Sequence, residues 1–357
     1  MDSPLLSPAE WQEAARTRLP LPTYDYFAGG ARDEITLRQA SAAWDAIGIR
    51  YHVLRGVGDR TTATTILGHD VAFPAVIAPM AFQRLAHPDG ELATARAAAR
   101  AGIGMTLSTL ATTPMEEVRA AAPDAPLWFQ LYVYQDRGAT RALVQRAEAA
   151  GYSAIVLTVD LPVHGTRERD VRNGFTLPDD VRIGNAVANV DTLPDVHGSS
   201  LAKFITDQFE HSLTFDDLAE LCDATELPVF VKGVVRGDDA SEAIEHGAAG
   251  IVVSNHGGRQ LDGAISTARA LGEVAQAVDR RVPVLVDGGI RRGSHLLRAI
   301  ALGADAAMIG RPVLWGLTVG GEEGAVRVLH QLRTEFDEAL ALAGCHAPDE
   351  LSLDLLD

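Results

Sequence analysis

Short runs that are apolar at every position recur along the chain, each followed by an alanine-rich stretch of helical spacing. Eight such runs are predicted as strands: Ala75–Pro79, Gly104–Ser108, Leu127–Tyr132, Ala154–Asp160, Pro228–Gly233, Gly250–Asn255, Pro283–Gly288 and Ala306–Gly310. Runs that are apolar throughout, instead of alternating, belong to strands buried on both faces, as in parallel sheets covered by helices. The stretches between them predict helices, for example over Gly90–Ala101, Arg137–Ala150, Asp238–Glu245 and Arg292–Leu302. Four helices run into glycine, at Ala101-Gly102, Ala150-Gly151, His246-Gly247-Ala248 and Leu302-Gly303-Ala304, where a left-handed residue turns the chain back toward the sheet. Strand and helix alternating eight times predict an α/β fold, a (β/α)₈ TIM barrel.

The chain is expected to form a single domain over residues 1–357, with a prefix at 1–73 that is helical in part and a barrel at 74–345. A long insertion at 176–214 follows the fourth strand, on the face where barrels do their chemistry, and a connection of that length predicts a lid or binding loop.

The formal charge of -17 argues against nucleic acid or an anionic membrane surface as partner, because phosphate binding needs clustered positive charge. No run reaches the ~18 apolar residues of a membrane span. With only two cysteines, Cys222 and Cys345, and no signal-peptide pattern at the start, a reducing cytoplasm is expected. Of the 31 basic residues only Lys203 and Lys232 are lysines, so a lysine at a strand end stands out.

In a barrel of this type the residues after each strand form the working rim. Here they are Pro79-Met80-Ala81, Ser108, Gln130 and Tyr132, Thr158 and Asp160, Lys232, Ser254 to Arg259, Asp287 to Arg291, and Gly310-Arg311. The glycine-containing turns after strands seven and eight, Asp287-Gly288-Gly289 with Arg291 and Gly310-Arg311, suit a phosphate. Lys232 ends an apolar strand and must face something anionic: a ring that gains negative charge on reduction, or a barrel carboxylate. His256 and Arg259 can converge on one small acid, the arginine gripping a carboxylate at two points and the neutral imidazole removing a proton, with Asp160 stabilising the imidazolium.

These residues resemble a known family. The run Ser254-Asn255-His256-Gly257-Gly258-Arg259-Gln260-Leu261-Asp262 looks like the signature of the FMN-dependent 2-hydroxy acid dehydrogenases and oxidases, the family of glycolate oxidase, lactate oxidase and mandelate dehydrogenase. Tyr24 to Phe27 with Gly29-Gly30, Ala78 to Ala81, Phe129 to Tyr132, Leu157 to Asp160, Val231 to Gly233, Asp287 to Gly293 and Ile309 to Pro312 follow in family order, between Leu19 and Cys345.

The resemblance implies FMN held by Pro79, Met80 and Ala81 near N5, by Ser108, Gln130 and Thr158 around the ring, and by Lys232 and Ser254. It implies a phosphate at Asp287, Gly288, Gly289, Arg291, Gly310 and Arg311. Substrate would meet Tyr26, Tyr132, Arg167 and Arg259, with His256 as base, backed by Asp160. The resemblance also suggests a homo-oligomer, tetramer or octamer, and calls for no metal.

Two departures bear on substrate and acceptor. Where glycolate oxidases resemble Ser-Ser-Trp, this chain has Ser108-Thr109-Leu110, leaving room for a larger group on the substrate. An aryl (S)-2-hydroxy acid such as mandelate or 4-hydroxymandelate is therefore expected, and the chain looks most like the bacterial 4-hydroxymandelate oxidases. Ala81 stands where the mandelate dehydrogenases resemble glycine and lactate oxidases alanine, and the insertion carries Asp179, Asp180, Asp191, Asp195 and Asp207 instead of an apolar anchor. O2 is the expected acceptor, with hydrogen peroxide as product. The alternatives are a dehydrogenase passing electrons to a quinone or protein, an oxidase of lactate or glycolate, an inosinate-type barrel needing a loop cysteine that neither Cys222 nor Cys345 supplies, and a barrel without activity serving as scaffold.

Overall fold

The computed structural model describes residues 4–186 and 200–357. Asp191 and Asp195 lie outside the described residues. Two short strands, β1 (Thr64–Ile66) and β2 (His69–Val71), pair antiparallel across a two-residue turn in which Leu67 and Gly68 both have positive φ. The remaining strands are β3 (Ala75–Ile77), β4 (Gly104–Leu107), β5 (Leu127–Leu131), β6 (Ala154–Thr158), β7 (Val229–Val234), β8 (Gly250–Val253), β9 (Val284–Val286) and β10 (Ala306–Ile309). All eight are parallel and close into a barrel, β10 returning to β3 with Met308 opposite Val76. Seven fall inside their expected runs, a residue or two shorter at the end that becomes a loop; β7 runs one residue past its expected end, to Val234, where a register shift carries the pairing past Gly233. Almost every position in them is buried, as the all-apolar runs required.

Three helices precede the barrel: α1 (Pro8–Arg16), α2 (Leu21–Ala28) and α3 (Ile35–Asp45). Around it lie α4 (Gly90–Ala101), α5 (Met115–Ala121), α6 (Arg137–Ala149), α9 (Phe215–Asp223), α10 (Gly237–Glu245), α11 (Thr267–Val278), α12 (Gly293–Ala301) and α13 (Arg311–Ala343). The last bends where Gly320 and Gly321 leave helical dihedrals. The segment after β6 adds the short α7 (Glu168–Arg172) and, within the insertion, α8 (Ser200–Gln208). Gly102, Gly151, Gly247 and Gly303 all have positive φ, as the four helix ends predicted. No helix among the described residues is long and apolar enough to cross a membrane.

The prefix packs onto the rim. Trp44, fully buried in α3, donates its indole N–H to the Gly288 carbonyl at 2.8 Å, and Asp45 accepts from His295 Nε2 at 2.8 Å. The other ring nitrogen of His295 accepts the Arg291 amide at 3.2 Å. Residues from α3 thus fix the loop after β9 from behind. At the other end of the chain, Arg50 donates its backbone N–H to Leu355, so the C-terminal residues close over the prefix.

Trp44→Phe removes that indole donor and some buried volume, which together are worth ~1–3 kcal/mol. The urea midpoint is expected to fall by the corresponding amount with the slope unchanged. An unchanged midpoint would show that the contact to Gly288 contributes nothing.

Candidate active site

The strand ends surround one open cavity, whose space free of protein atoms is about 1110 Å³ with the solvent at its mouth included. Barrel strands contribute Ala78 to Ala81, Ser108 and Leu110, Gln130 and Tyr132, Thr158, Lys232, His256 and Arg259, Asp287 to Arg291, and Gly310 and Arg311. The loop after β6 adds Leu161 and Arg167, the prefix adds Tyr26 and Phe27, and α8 adds Leu201 and Ile205.

His256 sits in a loop where it, Gly257 and Gly258 all have positive φ, a conformation a histidine holds only when its surroundings enforce it. Its backbone N–H donates to Ser254 Oγ at 3.1 Å and its Nδ1 lies 2.7 Å from Asp160 Oδ1. A carboxylate can only accept there, so the proton of the neutral ring is on Nδ1 and Nε2 is free as a base. Burial pushes the His256 pKa below its ordinary value, an effect Asp160 opposes but does not overcome. Burial pushes the Asp160 carboxyl up, but His256 and Lys232 outweigh it and hold its pKa below the usual value. Space for Asp160 comes from a bulge in β7: Gly233 has φ +116°, and a Cβ there would stand 2.7 Å from the Asp160 Cβ.

Four guanidiniums face this cavity, those of Arg167, Arg259, Arg291 and Arg311, and among the described residues none has a carboxylate within 4.0 Å. Burial pushes the pKa of Arg259 and of Arg291 down to about 10, and that of Arg311 well below its ordinary value, with the neighbouring arginines adding to the effect on Arg311. Their hydrogen bonds go mostly to carbonyls. Arg259 donates to Tyr26 and Gly29, and Arg311 donates to Phe27, Gly29 and Gly257. Several of these are the free carbonyls at the end of α2, so two cations cap that helix and bring Tyr26 to the rim. Arg311 still has two of its five N–H groups uncommitted. The arrangement calls for anions.

One wall offers polar groups without partners. Gln130 Oε1 accepts from Ser108 Oγ and from the Thr109 N–H, which fixes the amide so that Nε2 is left free, and Thr158 Oγ1 is likewise unpartnered. Lys232 meets a barrel carboxylate, Asp287 Oδ2 at 3.0 Å, and donates to Ser254 Oγ at 2.8 Å, while still lining the cavity. Burial opposes its charge, yet Asp287 and Asp160 raise its pKa above the ordinary value. The other Asp287 oxygen has no partner.

Of the expected cofactor residues only Ser254 stays out of the lining: fully buried, it takes hydrogen bonds from Lys232 and His256 and so orients two groups that do line the cavity. Asp160 likewise stands behind His256. Tyr26 lies between Phe175, stacked at 4.6 Å, and the guanidiniums of Arg259 and Arg167, 5.1 and 5.8 Å from its ring centre. Burial raises the pKa of both Tyr26 and Tyr132, so each keeps its hydroxyl proton. The sequence reading missed Phe175, Leu161, Leu201 and Ile205. The apolar spacing of Leu201, Phe204 and Ile205 inside the insertion was the available signal.

The donor set fits FMN: free guanidinium N–H groups suit a phosphate, and Gln130, Thr158 and Lys232 suit the polar edge of a flavin. Comparison with known proteins agrees. A family model described as FMN-dependent dehydrogenase matches residues 15–357. An L-lactate oxidase of Nostoc sp. is 48% identical over 97% of this chain and 96% of its own length. The glycolate oxidase of Spinacia oleracea is 45% identical over 96% and 93%. A crystal structure of mandelate oxidase with (S)-4-hydroxymandelic acid superposes with a TM-score of 0.94 at 42% identity, covering 99% of this chain and 98% of that one. By the length of the match, the level of identity and the residues gathered at the rim, this chain belongs to the FMN-dependent dehydrogenase family.

Proposed function

We propose that the protein oxidises an aryl (S)-2-hydroxy acid, of the mandelate or 4-hydroxymandelate kind, to the 2-keto acid, with O2 reduced to hydrogen peroxide. The observation that carries the reading is the neutral His256, held by Asp160 with Nε2 free, beside an Arg259 that lacks a carboxylate partner. In this reading Arg259 and Arg167 bind the substrate carboxylate, with the hydroxyls of Tyr26 and Tyr132 as further donors, and they place the C2 end against the base. His256 takes up a proton as the alcohol becomes a ketone, and Asp160 stabilises the imidazolium that results. FMN, when bound, would supply the two-electron acceptor, with O2 as the final oxidant. Arg291, Arg311 and the turns at Asp287 to Gly289 and Gly310 hold its phosphate. Gln130, Thr158, Ser108, Lys232 and the backbone of Pro79, Met80 and Ala81 hold its ring.

The aryl choice is supported by a wall of Leu110, Leu161, Leu201, Ile205 and Met80, and by the likeness to a mandelate oxidase. The working unit is the whole chain, prefix included, since Tyr26 comes from α2. We further take the protein to act as a homo-oligomer, tetramer or octamer, in the cytoplasm, where Cys222 and Cys345, both free thiols, stay reduced.

Oxygen uptake over glycolate, lactate, mandelate and 4-hydroxymandelate, in both enantiomers, tests the assignment. Higher kcat/KM for the (S)-aryl acids is expected, and Leu110→Trp should shift the aryl-to-glycolate ratio toward glycolate by ~10–200-fold. A parent enzyme that prefers glycolate would sink the aryl reading.

The acid limb of kcat/KM, which reports the free enzyme, should have its midpoint below ~6.5, because burial lowers the pKa of His256 and the neutral base persists into more acid solution. Asp160→Asn removes the charge that opposes this shift, so the limb should move still lower while the maximal rate falls. A midpoint at or above the ordinary histidine value would contradict the protonation state assigned to His256.

A further inference from the structure

Glu91, on the first turn of α4, is fully buried, and among the described residues no cation lies within salt-bridge distance of it. A carboxylate is costly in such a place unless its oxygens are fully satisfied. Here they are. Oε1 accepts the backbone N–H of Gln83 at 3.1 Å and of Thr112 at 2.8 Å, and Oε2 accepts the hydroxyls of Thr112 at 2.5 Å and Thr113 at 2.9 Å. The Arg84 amide donates to Thr112 Oγ1 at 3.3 Å, which turns the proton of that hydroxyl toward Glu91. Gln83 carries the network onward: it accepts from Thr94 Oγ1 at 2.5 Å and donates to the Met80 carbonyl at 3.4 Å.

These donors come from two neighbouring segments of the cavity lining, the loops that leave the adjacent strands β3 and β4. Gln83 and Arg84 follow the turn of Pro79, Met80 and Ala81, which closes on Phe82 with φ +55°. Thr112 and Thr113 follow Ser108 and Leu110 after β4. Apart from Glu91 the two segments are joined by the Phe82 amide donating to the Leu110 carbonyl at 3.1 Å and by the Arg84 amide on Thr112 Oγ1. Glu91 itself does not line the cavity.

We propose that Glu91 is a positioning residue that sets the spacing between the Met80–Ala81 turn and the Leu110 wall. It thereby governs how the reacting carbon and its substituent lie against the flavin edge. The inference rests on the reading in which that turn meets the flavin and Leu110 meets the substituent. The Glu91 carboxylate accepts from four donors at once, which a side-chain amide cannot do. A glutamine of the same shape keeps one acceptor oxygen for the two amides but turns N–H groups on the Thr112 and Thr113 hydroxyls, which must reverse to accept, so the charge-assisted tie between the two segments is weakened.

The test uses FMN-loaded enzyme. Glu91→Gln should retain FMN with a Kd within about threefold of the parent, because the phosphate contacts lie elsewhere and do not share its partners. Its oxidised flavin bands should shift, its anaerobic reduction by substrate should slow by ~10–100-fold through misplacement of the reacting groups, and its aryl-to-glycolate preference should change. Thr113→Val deletes one donor and leaves the carboxylate three, so it should show the same changes in milder form, and it decides the matter if Glu91→Gln does not fold. Variants with the parent flavin spectrum, reduction rate and substrate preference, lower only in Tm, would overturn the proposal and leave Glu91 a stabilising group. Were the parent itself reduced by no 2-hydroxy acid, the functional reading would fail, and the flavin bands of Glu91→Gln would still decide the positioning role.

Discussion

Unpaired positive charge gathered at one rim of the barrel is the constraint on which the rest of this molecule turns. The chain carries a formal charge of -17, yet four guanidiniums face a single cavity without a carboxylate partner among the described residues. Burying such groups is unfavourable, and it pushes the pKa values of Arg259, Arg291 and Arg311 down. The barrel tolerates it in two ways. Backbone carbonyls at the end of α2 take part of the hydrogen bonding from Arg259 and Arg311, which also anchors the prefix, and the remaining donors stay directed at the cavity. In the proposed reading two anions, a phosphate at one end and a carboxylate at the other, would offset the burial, so affinity and orientation would come from the same side chains.

Within that field a neutral base is the natural form of His256. Burial and the nearby cations disfavour the imidazolium, and Asp160 supplies the opposing charge that makes it accessible once a proton arrives. Ser254 fixes the backbone of this loop and one donor of Lys232 together, while Asp287 pairs with Lys232 and the charge of Asp160 further favours its ammonium. The strained dihedrals at His256 persist because these contacts, with the Arg311 bond to the Gly257 carbonyl, determine the loop from several sides.

Much of this was legible in the sequence. All-apolar runs located the eight strands because burial on both faces removes the alternation that would mark an exposed sheet, and glycine at helix ends marked the returns. The rim followed from reading what comes next in each run. Other features depend on three-dimensional placement. That Ser254 points at Lys232 and not at the cavity is decided by the pleat of β8, which no spacing reveals. Lys232 had two readings at the outset, and its partner proved to be Asp287, two strands away. Tyr26 was reached only through family resemblance, because its position depends on arginines capping α2. The β1–β2 hairpin turns on Leu67-Gly68, which lacks the usual Asn or Asp signal. Trp44 bonds a partner far off in sequence, and the contacts of Glu91 depend on two loops meeting around it, so neither had a local signature.

The central claim is that base and carboxylate grip are separate functions of residues three apart in one loop. Anaerobic stopped-flow reduction of bound FMN over a range of substrate concentrations separates them. His256→Ala should slow the limiting reduction rate by ~10²–10⁴-fold with a much smaller change in Kd, because a positioned base acts only as the proton departs. Arg259→Lys keeps a charge but loses the planar two-point contact, so Kd and rate should both suffer. A His256→Ala enzyme whose flavin is reduced at the parent rate would contradict the account and leave His256 a structural residue of the loop.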